Sequence, residues 1–136
     1  MADKLKLEMV TPYKRVLSEE VDDIQAPGTV GELGILPGHT PLLTTLKIGE
    51  FRYRKGNEQF HVAINWGYME VEDDKVSVLV DTAEPADQID LDRAKTALGR
   101  AEAELKHLSP EEKEYIVAET ALARAMVRIQ VAAKNR

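Results

Sequence analysis

Apolar and polar positions alternate through the first part of the chain and then change period near residue 85. Leu5, Leu7 and Met9 share one face of a predicted strand Leu5–Val10, which Pro12 ends. Phe51 and Tyr53 alternate with Arg52 and Arg54. The turn Lys55-Gly56-Asn57-Glu58 follows, and Phe60, Val62 and Ile64 then alternate with His61 and Ala63. That is a hairpin pattern. A second hairpin is predicted from Tyr68–Val71, the acidic turn Glu72-Asp73-Asp74, and Lys75–Val80 with Val76, Val78 and Val80 on one face. Short strands at this spacing, with no long helical period between them, indicate a sandwich or flattened barrel and exclude βαβ units.

After the polar break Thr82–Gln88 the spacing becomes helical. Leu91, Ala94, Leu98, Ala101, Leu105 and Leu108 make one apolar stripe, and Tyr115, Ala118, Leu122, Ala125, Ile129 and Ala132 make a second. Between them, Ser109-Pro110-Glu111-Glu112 has the form of a capping box, with serine at N-cap, proline at N1 and glutamate at N3. The short connection predicts antiparallel helices. The expected architecture is an all-β head, residues 1–86, and an α-helical tail, residues 87–136, folded as a two-helix hairpin. Five of the twelve seam positions are alanine. That leaves two readings open: a weakly held arm, because each alanine buries little area, or a close approach of the two helices.

Charge sharpens this division. Of 18 basic and 24 acidic residues, the head carries the entire net charge of −6 and the tail is balanced. An acidic head argues against nucleic acid as a partner. On the second helix Glu111, Glu112, Glu114 and Glu119 precede Arg124, Arg128, Lys134 and Arg136. This gradient complements the helix dipole. Arg124 and Arg128, one turn apart, are either a solvated face or a basic docking face.

Little in the sequence promises chemistry. There is no cysteine, and His39, His61 and His107 lack metal-ligand spacing. Phosphate-loop, nucleophile-elbow and zinc-protease motifs are absent. No catalytic constellation is visible, so the chain is read as non-catalytic. No apolar run approaches the ~20 residues of a membrane span. The N-terminus Met1-Ala2-Asp3-Lys4 has neither a signal-peptide core nor the arginine-rich face of a transit peptide, so a cytosolic location is expected.

One segment is unusual: Gly31-Glu32-Leu33-Gly34-Ile35-Leu36-Pro37-Gly38-His39-Thr40-Pro41-Leu42-Leu43. Three glycines and two prolines among aliphatic residues predict a specific buried bend. The segment resembles the signature of the ε subunit of bacterial F-type ATP synthases, G-E-[LI]-G-[IV]-x-P-G-H-x-P-[LI]-L followed by a glycine such as Gly49. The order of strands, the Ala83-Glu84 junction and the two-helix tail extend the resemblance over the whole chain.

The resemblance implies a rotor subunit of a proton-translocating complex, peripheral on the cytoplasmic face of the bacterial cell membrane. Its head joins the γ subunit to the ring of c subunits and inserts nothing into the bilayer. By correspondence Glu32 meets the c-ring, and Thr11, His39 and Thr40 face γ. The hairpin lies on the head or extends along γ to the catalytic α/β subunits, where Arg124 and Arg128 inhibit ATP hydrolysis. No cofactor is required. A regulatory ATP site is implied by the match of Ile89-Asp90-Leu91-Asp92-Arg93-Ala94 to [IL]-D-x-x-R-A, with Glu84, Arg100, Arg124 and Arg128 completing it. Asp90 and Arg93 equally suit an ordinary helix start. A nucleotide sensor working independently of any rotor is the alternative reading; a β-sandwich enzyme has no nucleophile–base pair behind it.

Overall fold

The computed structural model describes residues 3–134. Met1, Ala2, Asn135 and Arg136, the last of which ends the expected basic gradient, lie outside the described residues. The head has eight strands: β1 (Leu5–Val10), β2 (Arg15–Val21), β3 (Asp23–Gly28), β4 (Gly31–Ile35), β5 (Leu42–Leu46), β6 (Gly49–Lys55), β7 (Glu58–Glu72) and β8 (Lys75–Pro85). A 3₁₀ turn, Ala86–Gln88, leads to α1 (Leu91–Leu105) and α2 (Lys113–Ala133). The all-β head with a helical hairpin is therefore the observed architecture.

The strands form two layers that share one long ribbon. In the first layer β2, β1, β8, β7 and β5 are neighbours; in the second β6 pairs with both β3 and β7, and β4 pairs with β3. Pairing is antiparallel except between β1 and β8, which run parallel with Lys6 opposite Lys75 and Val10 opposite Leu79. Between the layers, Leu5, Leu7, Met9, Met69, Val71, Val76 and Val78 meet Ile24, Ala26, Phe51, Val62 and Ile64, all essentially inaccessible to solvent. Alternation had placed Leu5, Leu7, Met9, Phe51, Val62, Ile64, Val76 and Val78 each on one face of its strand, and burying those faces drives the two layers together. Tyr53 stacks on Phe60 from the opposing strand, with ring centroids 5.0 Å apart. Burial, with Glu19, Asp87 and Glu58 nearby, pushes the Tyr53 hydroxyl up to about 12.

Two sequence expectations need correction. The stretches Phe60–Ile64 and Tyr68–Val71 belong to one strand, and its interruption marks the passage from one layer to the other. Asn65 pairs with Thr82 and Gly67 with Val80, while Trp66 between them turns to φ 41°. A bulky side chain adopts that region rarely. Glycine is required next to it, since a Cβ on Gly67 would fall 2.0 Å from the Leu79 carbonyl oxygen. The glycine- and proline-rich segment is not a buried bend. Its first five residues form β4 and its last two open β5, and Leu36 and Leu43 point into solvent. Gly38, at φ 87°, makes the turn between them, and its amide donates to Asp74 Oδ1 at 2.7 Å.

The second helix also begins later than the capping pattern predicts. Glu112 is the N-cap of α2, without a side-chain cap bond. Ser109–Glu112 forms a separate tight turn, closed by the Glu112 amide on the Ser109 carbonyl at 2.9 Å and by the Ser109 amide on Glu112 Oε2 at 2.9 Å. The reciprocal half of the box is thus made, one turn ahead of the helix. Ala94, Ala101, Ala118 and Ala125 are buried where α1 and α2 meet, so the alanines do bring the helices close.

Candidate functional site

The hairpin rests on the outer face of the second layer through α2. This face is polar. Arg52 and Arg54 of β6 project from it beside Glu50, His61 lies opposite Arg52, and Glu84 of β8 is nearby. The register places Glu50, Ala63 and Glu84 in one row across β6, β7 and β8. Helix α2 crosses this row. Ala63 of β7 is buried beneath it, and Val131 of the helix is buried as well. Arg128 Nη2 donates to Glu84 Oε2 at 3.3 Å, while its Nε stands 2.7 Å from Oε1 but out of line for a hydrogen bond. Lys134 Nζ donates to both Glu50 oxygens, at 2.7 and 3.0 Å, and His61 Nδ1 lies 2.5 Å from Glu50 Oε2. Burial pushes the Glu50 carboxyl up, but the Lys134 and His61 contacts outweigh it and hold the group below the usual carboxylate range. Under the same helix Asn65 is buried with Oδ1 unpaired, facing a space of about 30 Å³ lined also by Thr82, Arg124 and Val127.

Asp90, Asp92, Arg93, Thr96 and Arg100, on or just before α1, line an open groove of about 460 Å³ together with Arg128 of α2. Four of the residues expected at an ATP site, Asp90, Arg93, Arg100 and Arg128, therefore meet in space. Others do not. Ala94 is completely buried in the helix seam, Arg124 lies on the sheet side with Asn65, and Ile89 and Glu84 are outside the groove lining. Asp90 also serves as N-cap of α1, accepting from the Arg93 amide at 3.1 Å, so the motif supports the helix start as well as lining the groove.

The residues expected to face other subunits divide between two ends of the head. Thr11 sits in the β1–β2 turn, where its hydroxyl accepts from the amides of Tyr13 and Lys14 at 3.3 Å. It borders a shallow apolar face formed by Pro12, Trp66, Tyr68 and Leu79, the last three about half exposed. Apolar side chains left exposed side by side in this way make the face a candidate docking surface. His39 and Thr40 lie at the other end of β5, beside the Asp73–Asp74 turn, with His39 Nδ1 2.7 Å from the Thr40 carbonyl. Five residues of β8 separate the two ends, ~17 Å at ~3.3 Å per residue. Glu32 is exposed on β4 next to the β3–β4 turn, whose Val30 is 95% exposed, and pairs with Arg52.

Sequence reasoning missed Glu50, Lys134 and Asn65 as contacts of the arm, and Trp66, Tyr68 and Leu79 as an exposed face. The outward phase of Tyr68 and Leu79 in their strands was a usable signal for the second group. No local pattern pairs Glu50 with Lys134, 84 residues away. Among the described residues no helix is long and apolar enough to cross a membrane.

Comparison with known proteins agrees with this architecture. Residues 4–86 match the beta-sandwich domain of the ATP synthase Delta/Epsilon chain, and residues 87–133 match its long alpha-helix domain. The ATP synthase epsilon chain of Geobacter metallireducens is 66% identical over 135 residues, covering 99% of this chain and 98% of that one. The corresponding chain of Geotalea uraniireducens is 67% identical over 134 residues, covering 98% and 97%. Among solved structures, a chain of the Euglena gracilis mitochondrial ATP synthase, from the OSCP/F1/c-ring assembly, superposes with TM-score 0.80 at 27% identity, covering 96% of this chain and 81% of that one. A chain from the Tetrahymena thermophila central stalk and c-ring shares the fold at 16% identity and TM-score 0.55. With both of its parts matched in order and its full length shared with such relatives, the chain belongs to the epsilon chain family of F-type ATP synthases, the non-catalytic subunits of the rotary central stalk.

Proposed function

We propose that the head couples the γ subunit to the c-ring and that the hairpin, released from the head, restrains ATP hydrolysis by the catalytic α/β subunits. The observation that carries this reading is the seat of the arm. Among the described residues it is polar, rests on two cation–carboxylate contacts and buries few large side chains, whereas the half-exposed Trp66, Tyr68 and Leu79 leave an apolar face of the head open for a partner. Partly exposed ion pairs contribute only about 0–1 kcal/mol each. A seat of this kind can exchange between docked and released positions, and a difference of a few kcal/mol controls which one dominates.

In this arrangement Thr11 and the apolar face contact γ together with His39 and Thr40. Glu32, at an exposed turn, contacts the polar loops of the c-ring. Release of the arm frees Arg128 from Glu84 and presents Arg128 and Arg124 to acidic segments of the catalytic subunits. The complex is peripheral on the cytoplasmic face of the bacterial membrane.

The test is ATP hydrolysis by the reconstituted catalytic complex without the chain, with the full chain, and with the chain ending at Ala86. Inhibition by the full chain that is lost on truncation is the expected result. Equal rates with full and truncated chains, both bound, would remove the regulatory role; failure of either to bind would remove the coupling role.

The groove lined by Arg93, Arg100 and Arg128 favours a second role, binding of a regulatory ATP that holds the arm on the head. Its size lies within the ~300–1,000 Å³ range of small-molecule sites, and guanidinium groups suit phosphate oxygens. Titration calorimetry with ATP decides this: saturable heat is expected in the full chain and is lost in Arg93→Ala. No heat up to millimolar ATP would dispose of it.

A further inference from the structure

The geometry points to the Glu50–His61–Lys134 cluster as a proton-sensitive latch, through which protonation of His61 loosens the hairpin from the head. The inference rests on the reading that the hairpin moves. It starts from the row Glu50–Ala63–Glu84 across β6, β7 and β8. The two carboxylates flank a single alanine and stand two strand spacings apart, ~10 Å. Arg128 of α2 and Lys134, the C-cap of that helix, are six residues apart, a rise of ~9 Å. The helix therefore crosses the row and sets one cation on each carboxylate, with Val131 buried between them in sequence.

The two contacts differ in what else holds the carboxylate. Among the described residues Glu84 is engaged by Arg128, whereas Glu50 is shared by Lys134 from the arm and His61 from the adjacent strand. A neutral imidazole donates one N–H to Glu50 and leaves its negative charge to Lys134. A protonated imidazole brings a full positive charge to the same carboxylate. Two cations then compete for one anion, and repel each other across it.

The surrounding charges reinforce the competition. Opposite His61 on β6 stands Arg52, which Glu32 of β4 engages. From α2 come Arg124 and Arg128, the latter engaged by Glu84 of β8. The 3₁₀ turn packed against β7 and α2 carries Asp87, which has no ion-pair contact with Lys134. Glu50 is thus the carboxylate on which Lys134 depends. Its ionisation persists through the range in which histidine titrates, because the Lys134 and His61 contacts outweigh the effect of burial.

The sign follows from linkage. With His61 protonated, Glu50 holds two cations, and undocking α2 removes one of them, so protonation lowers the cost of undocking. A ligand bound more tightly by one state shifts the equilibrium toward it, and here the ligand is the proton. Acidification therefore favours release, and alkaline conditions favour docking.

The absence of cysteine allows a direct test on the full chain. Fluorophores attached after Ser18→Cys and His107→Cys, both exposed positions, report the distance between head and arm tip. The ratio of released to docked arm is expected to rise about three- to tenfold from about pH 8 to about pH 5.5. His61→Gln keeps an N–H donor but does not titrate, and should flatten the profile. Lys134→Gln should raise release at every pH and flatten the profile as well. A profile that survives His61→Gln, or release that falls on acidification, overturns the latch and leaves the mobile arm standing. An arm that stays docked in the parent, Lys134→Gln and Arg128→Gln chains at every pH overturns the mobile-arm reading itself.

Discussion

The head and the hairpin are both built by burying an apolar face, but they bury different things. The head interleaves Leu5, Met9, Ile24, Phe51, Met69 and several valines between two layers. The hairpin is closed by Ala94, Ala101, Ala118 and Ala125. A fully buried large aliphatic or aromatic side chain contributes ~1.5–3 kcal/mol, against ~0.8 kcal/mol for each buried CH₂-sized group. The head is therefore held by its core whatever the hairpin does. The hairpin holds together through helix propensity and close packing, and is tied to the head by Arg128, Lys134 and a small apolar contact at Val131. The difference teaches how one chain combines a rigid docking body with a movable element: large side chains where a unique arrangement is needed, small ones and charges where an arrangement has to be left.

The largest effect expected from this contrast lies in the head. Phe51→Ala empties the centre of the sandwich and should cost about 3–5 kcal/mol, read as a lower denaturant midpoint. The arm is expected to lose its seat in the same transition, because Glu50, beside Phe51, carries the Lys134 contact. If hairpin and head unfold at separate midpoints in this variant, the dependence of the arm on the head is wrong.

An intermediate effect is expected at the helix seam. Ala118→Leu adds three carbons where the helices are closest and should cost about 1–3 kcal/mol by overpacking. It should appear as increased hydrogen exchange in α1 and α2 with protection of the β-strands unchanged. Greater protection of the helices would mean that the seam has room, contrary to close packing.

The smallest effect is local. Asp90→Ala removes the N-cap of α1 and should cost about 1 kcal/mol. The loss should show as fraying of the first turn of α1 by amide exchange, with α2 undisturbed. An unchanged first turn would reduce Asp90 to a wall of the arginine-lined groove.

Much of this organisation was legible from local pattern. Alternation identified β1, β6 and the inward faces of β7 and β8, and the 3- and 4-residue spacing identified both helices and their alanine contacts. Local pattern failed where a second element decides the outcome. Ala63 alternates outward yet is buried, because α2 lies over it. Of the residues grouped with the Ile89–Ala94 motif, Asp90, Arg93, Arg100 and Arg128 meet in one groove, while Ala94 and Arg124 are turned elsewhere by the helix packing.

By itself the sequence determined the period of each segment, the change of period near residue 85, and the chemistry available, with charge in abundance and no cysteine. These are properties of neighbours along the chain, which backbone geometry converts directly into faces of strands and helices. The tertiary structure alone decided that β1 runs parallel to β8, that the ribbon of β7 and β8 passes between layers at Trp66 and Gly67, and that the glycine-rich segment stays at the surface. It also decided that Glu50, His61 and Lys134 form one cluster. Each of these joins residues distant in sequence, and such contacts are chosen by the competition of whole faces for burial and of charges for partners.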